Sequence, residues 1–148
     1  MAFAVAGCGG TGLDLGSGGG DPPPGGYEKA GNTICAEVAQ RFAEAQAAEP
    51  RTFAQGGEVV ATLIDIAEEG ESQLASLEPP KDLALAFNQY LKARGEVVAL
   101  LERAEAAAEA EDGAAYERAR RDALDGAGKR GDLAREAGLQ GCARVEGR

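Results

Sequence analysis

Histidine and tryptophan are absent from this chain of 148 residues, and its single methionine is Met1. The missing histidine takes away the side chain that titrates closest to neutral pH and the commonest metal ligand, and with it most hydrolase and metalloenzyme chemistry. No nucleophile stands beside a candidate base, so the chain reads as non-enzymatic, and no cofactor is called for. An excess of positive charge is missing as well: 25 acidic residues against 15 basic ones give a net charge of −10. By segment the balance is −2 over residues 1–27, −10 over 28–112 and +2 over 113–148. An acidic middle repels phosphate backbones, which argues against a nucleic-acid partner.

What is present divides into a glycine-rich front and a helical body. Gly9 to Gly26 holds most of the contiguous glycine, together with Pro22-Pro23-Pro24 and almost nothing that could be buried. Such a stretch predicts a disordered tether, flexible in its Gly/Ser part and stiffer at the prolines. Ahead of it, Val5-Ala6-Gly7-Cys8 sets an aliphatic residue and two small ones before a cysteine. This resembles the lipobox of bacterial lipoproteins, and the resemblance implies a lipid attached to Cys8 and anchorage to a membrane. Residues 1–8 are then the remnant of a signal peptide with its lipobox, 9–31 the disordered Gly/Pro-rich linker, and 32–148 the folded body. Met1 to Ala6 provides only a short apolar stub without a basic residue, where a whole signal peptide has a basic start and roughly 7–15 apolar residues. Either the start codon lies upstream of Met1 or the match is accidental. Gly7 to Gly12 also invites comparison with a phosphate-cradling loop, but the Gly-Lys-Ser/Thr ending is missing.

From Asn32 onward the apolar residues recur with helical period. Asn32 is the expected N-cap of a first helix from Thr33 to about Glu49, with Ile34, Val38, Phe42 and Ala45 on one stripe and Pro50 as its stop. Thr52 and Gln55 have the spacing of a capping box at the head of a second helix, whose face is Val60, Leu63, Ile64, Ala67, Leu74 and Leu77. Gly56, Gly57 and Gly70 should bend or weaken it. Pro80 suits the first turn of a third helix. There Leu83, Phe87, Tyr90, Arg94, Val97, Leu101, Ala104 and Ala108 alternate at spacings of four and three, the pattern that holds one face against a partner. Asp112-Gly113 closes it. A fourth helix, from about Ala114 to Ala137, should end at Gly138 as a left-handed cap with Leu139 folding back. Four helices and short loops predict an all-α, up-down-up-down four-helix bundle.

In that topology the start of the first helix and the end of the fourth share one pole, which brings Cys35 and Cys142 together as a disulfide. Such a pair belongs to an oxidising compartment; the alternative is two separate reduced thiols. A cysteine near the start of the first helix, Leu77-Glu78-Pro79-Pro80 before a long helix, and the closing Ala137-Gly138-Leu139-Gln140-Gly141-Cys142 together resemble small uncharacterised helical lipoproteins of actinobacteria and related high-GC bacteria. The resemblance implies a location and a fold and no activity.

The expectation is therefore a non-enzymatic lipoprotein, lipid-anchored to the extracytoplasmic face of the cell membrane, with a possible protein partner in the envelope. A second reading places a small-molecule pocket at Tyr90, Arg94 and Tyr116, between the middle helices, and a third is a cytosolic helical adaptor. Arg94 sits on an apolar stripe, where it either snorkels or pairs with an acid such as Asp65. Glu68, Glu69 and Glu71 point to different helix faces and read as solvated. Arg118, Arg120, Arg121, Lys129 and Arg130 make one side of the fourth helix basic, facing either the acidic middle of the bundle or anionic lipid headgroups.

Overall fold

The computed structural model describes residues 25–47 and 50–146. The lipobox with Cys8, the linker through residue 24 and the expected end of the first helix at Glu49 lie outside the described residues. The described chain is all-α, without a strand: α1 Gly26–Gln46, α2 Phe53–Ala75, α3 Ala84–Glu109, α4 Gly113–Asp125, α5 Ala127–Glu136 and α6 Gln140–Glu146. The broadest packing is between α2 and α3. α1 lies against α2, α4 and α5 lie against α3, and α6 lies against α1 and α5.

Several boundaries differ from the sequence expectation, each for a local reason. α1 begins at Gly26, so residues 26–31, read as linker, are helical. Tyr27 is the anchor: its ring meets Phe87 edge-on at 5.4 Å and its hydroxyl donates to Ala137 O at 3.0 Å. Asn32 is thus inside a helix and cannot cap it. The Thr52 cap is present, with Gln55 N donating to Thr52 Oγ1 at 3.2 Å, but the Gln55 side chain accepts from Arg51 N instead of closing the box on Thr52. Pro80 lies in a turn before α3, where Leu83 N donates to Pro80 O. Asp112 does more than end α3: its carboxylate accepts from Ala115 N at 3.0 Å and caps α4.

The expected fourth helix is two, interrupted at Gly126. The Arg130 guanidinium donates to Ala123 O at 3.1 Å, taking a carbonyl of the helix ladder, and a Cβ on Gly126 would stand 2.7 Å from Arg130 Nη1. Gly138 adopts the left-handed conformation expected of it (φ 76°), and Leu139 N returns to Ala134 O at 2.8 Å. The chain then continues into a helix that periodicity did not reveal, α6, carrying Cys142 within it.

Buried side chains form two clusters. One gathers Tyr27, Cys35, Leu74, Phe87, Tyr90, Leu139 and Cys142 with alanines of α5 and α6; the other gathers Val60, Leu63, Ala67, Leu101, Ala104 and Ala119. The apolar stripe of α3 crosses both. Between them α1 passes so close to α2 that a Cβ on Gly70 would lie 2.5 Å from Val38 Cγ2.

The end of α3 holds one strained residue. Glu111, exposed, takes φ 54°, while Asp112 N bonds to Ala107 O and Glu111 N to Ala108 O. This is a Schellman turn with glutamate in the position that glycine occupies without steric penalty. Glu111→Gly should therefore stabilise the protein by about 0.5–1 kcal/mol, as a higher urea midpoint at unchanged slope.

Candidate functional site

The site is built where α1, α3, α5 and α6 converge. Cys35 and Cys142 are disulfide-bonded, with Cα atoms 5.1 Å apart across a sequence separation of 107, and the two residues are 1% and 0% exposed. Asn32, one turn before Cys35 on α1, accepts a hydrogen bond from Gly141 N through its Oδ1 at 2.7 Å and so satisfies a free amide at the head of α6. The bonded Cys142 sulfur has no proton to donate and is in contact with Gly31 O at 3.4 Å.

These fastenings lay the last turn of α6 across α3 and α5. Glu146 Oε1 accepts from Arg94 Nη1 and from the Tyr90 hydroxyl, both at 3.3 Å; its Oε2 accepts from Arg130 Nε at 2.8 Å. Arg94 Nη1 also donates to Tyr90 Oη at 3.2 Å, and its guanidinium lies 5.9 Å from the Tyr90 ring centroid. The side chains of Arg94, Arg130 and Glu146 are only 11–12% exposed. The Cys35 sulfur is 3.6 Å from Tyr90 Oη, which joins the network to the disulfide. Among the described residues no buried side-chain nitrogen or oxygen is without a hydrogen-bond partner.

Burial pushes the Tyr90 hydroxyl above its ordinary pKa, aided by Glu146 and opposed by the Arg94 charge. For Arg94, burial works against ionisation, but Tyr90 and Glu146, with Glu71 beside them, outweigh it and hold the guanidinium above its ordinary value. Tyr27 is pushed well up, chiefly by burial and secondarily by Tyr90.

Of the three residues expected to line a pocket, the fold brings Tyr90 and Arg94 together and leaves Tyr116 elsewhere. Tyr116 packs on the second cluster, with the Arg120 guanidinium 5.8 Å from its ring centroid. Arg94 pairs with Glu146 and not with Asp65, which is exposed. Arg130, read as part of a basic side facing either the acidic middle of the bundle or lipid headgroups, turns inward onto Glu146. Glu69 pairs with Arg41 at the surface, and no group of three or more metal-ligating side chains forms among the described residues. Two surface concavities, of about 590 and 220 Å³, lie elsewhere, along α1 and between Phe53 and Glu109. Arg130 and Glu146 carried no sequence signal beyond their charge, because their meeting depends on the chain reversal at Gly138.

No protein-family model, curated protein or solved structure matches this chain.

Two outcomes follow from this chemistry. Both tyrosines are harder to ionise folded than unfolded, so the folded state retains protons that the unfolded state loses. Stability should be full below about pH 10, the unfolded tyrosine value, and fall as pH rises beyond it. Urea unfolding between pH 8 and 11 should show that decline, and Tyr27→Phe should make it shallower. Replacing Cys35 and Cys142 together with serine should lower stability by about 4–5 kcal/mol, the loop-closure value for a ring of this length, measured by denaturant unfolding against the oxidised parent.

Proposed function

We propose that this chain is a non-enzymatic interaction module held to the extracytoplasmic face of a bacterial membrane by a lipid on Cys8. The observation that carries the reading is the Cys35–Cys142 bond. It is buried, joins α1 to α6, and is a bond of the kind that forms and persists in oxidising compartments. Val5-Ala6-Gly7-Cys8 supplies the attachment residue and the glycine- and proline-rich stretch supplies the spacer. No described helix is long and apolar enough to cross a membrane, and the anchor in this reading is the lipid.

The body is then an up-down-up-down bundle of four arms, the fourth being α4 and α5 in sequence, with α6 doubling back as a clasp. Support comes from the packing order, in which α1 meets α2, α2 meets α3, and α3 meets α4 and α5. The lack of histidine removes the side chain best suited to proton transfer near neutral pH, which supports a binding role over a catalytic one. The Arg94 charge is engaged by the chain's own carboxylate, which favours this reading over a small-molecule pocket beside Tyr90.

Protein recovered from its native host should partition with membranes and carry a diacylglyceryl group on the peptide containing Cys8, as read by mass spectrometry. Cys8→Ser should move it to the soluble fraction. Unmodified Cys8 in a cytosolic protein whose Cys35 and Cys142 are reduced would refute the proposal.

A further inference from the structure

We infer that Tyr90, Arg94 and Arg130 form a carboxylate-binding site that the chain fills with its own Glu146, and that the site takes an external carboxylate, the acidic side chain of a protein partner, when Glu146 leaves. The inference is independent of lipid anchoring, and either can fail without the other.

The donors are placed by contacts that do not involve Glu146. Arg94 is held by the Tyr90 hydroxyl and ring on the same helix, and Arg130 by Ala123 O at the α4–α5 break. α3 and α5, which carry these donors, pack on each other directly. Glu146 itself is held by noncovalent contacts alone. Glu146 sits at the last position of a seven-residue helix, a length that has no helical stability of its own in water. That helix is held to α1 through Cys142 and the Asn32 bond, both near its beginning. Beyond Cys142 the helix is held by packing on α5, with Ala143 buried and Val145 against the core, and by the Glu146 contacts themselves, so its far end separates by breaking noncovalent contacts alone.

Charge specifies what replaces it. With Glu146 withdrawn, two guanidinium groups remain, with Glu71 the acid acting on Arg94. While the two guanidinium groups stay this buried they need a counter-charge, so an anion that fits between them is favoured there. Three donors spread over both oxygens of Glu146 suit a planar group with two acceptor atoms, which is a carboxylate.

The test uses the full chain, oxidised, with Glu146→Ala and formate or acetate as the probe. At roughly ten times the Kd the carboxylate should raise Tm by about 4–8 °C. Chloride at equal ionic strength should not do so, wild type should not respond, and adding Arg130→Gln should abolish the response. A variant too unstable to fold in chloride should refold on adding formate, as followed by far-UV circular dichroism. An equal response to chloride, no response to carboxylate in the folded variant, or no refolding in formate would overturn the inference.

Discussion

The covalent link between α1 and α6 is the constraint on which the rest of this structure depends. The C-terminal arm has little else with which to hold the front of the molecule. Its buried residues in α4 and α5 are Ala119, Gly131 and Ala134, which remove little apolar surface from water compared with leucine or phenylalanine. α2 and α3 meet along a broad face furnished with Val60, Leu63, Leu74, Phe87 and Leu101 and can hold each other by burial alone. α1 and the C-terminal arm meet instead through Leu139, the Tyr27 hydroxyl on Ala137 O, and α6. A helix of seven residues does not persist without tertiary support, and the bond to Cys35 holds it against α1.

The buried charges follow from that placement. An arginine pair and a glutamate almost out of water are poor sources of net stability, because desolvating each ion offsets much of the attraction. Their value is positional. Oε1 of Glu146 answers to α3 and Oε2 to α5, so a single carboxylate ties the end of α6 to both helices and sets its direction across them. The break at Gly126 belongs to the same arrangement. Arg130 serves both Ala123 O and Glu146, and an unbroken helix there would give that carbonyl an amide of its own ladder and leave the guanidinium short of a partner.

How far this could be read from the sequence depended on whether the cause was local. Thr52, Asp112 and Gly138 act within a few residues of themselves, and each caps or turns the chain there. The stripe of α3 was legible because 26 residues give a period time to declare itself. The all-α class and the Cys35–Cys142 pair followed. α6 could not be read: seven residues bounded by Gly138 and including Gly141 show no period, and Cys142 passed for a residue beyond the last cap. With α6 unseen, Glu146 had no place, and an acid such as Asp65 stood as the partner for Arg94. Gly25, Gly26 and Gly31 likewise hid the first turns of α1, because glycine in isolation argues against helix.

Those glycines show why local propensity misled. A Cβ on Gly31 would stand 2.6 Å from Leu139 Cδ2, and one on Gly141 would stand 2.6 Å from Asn32 Oδ1. Leu139 is 0% exposed, and the Asn32 bond is the one that secures the head of α6, so both contacts need the missing methyl. Glycine in a helix interior sacrifices about 0.5–1 kcal/mol relative to alanine. That loss is set against the burial of a whole leucine, on the order of 1.5–3 kcal/mol, and against a satisfied amide at the head of a helix. The exchange is favourable only once α1 and α6 lie side by side, so a tertiary contact 109 residues away in sequence, Asn32 to Gly141, decides whether the glycines are defects or fittings.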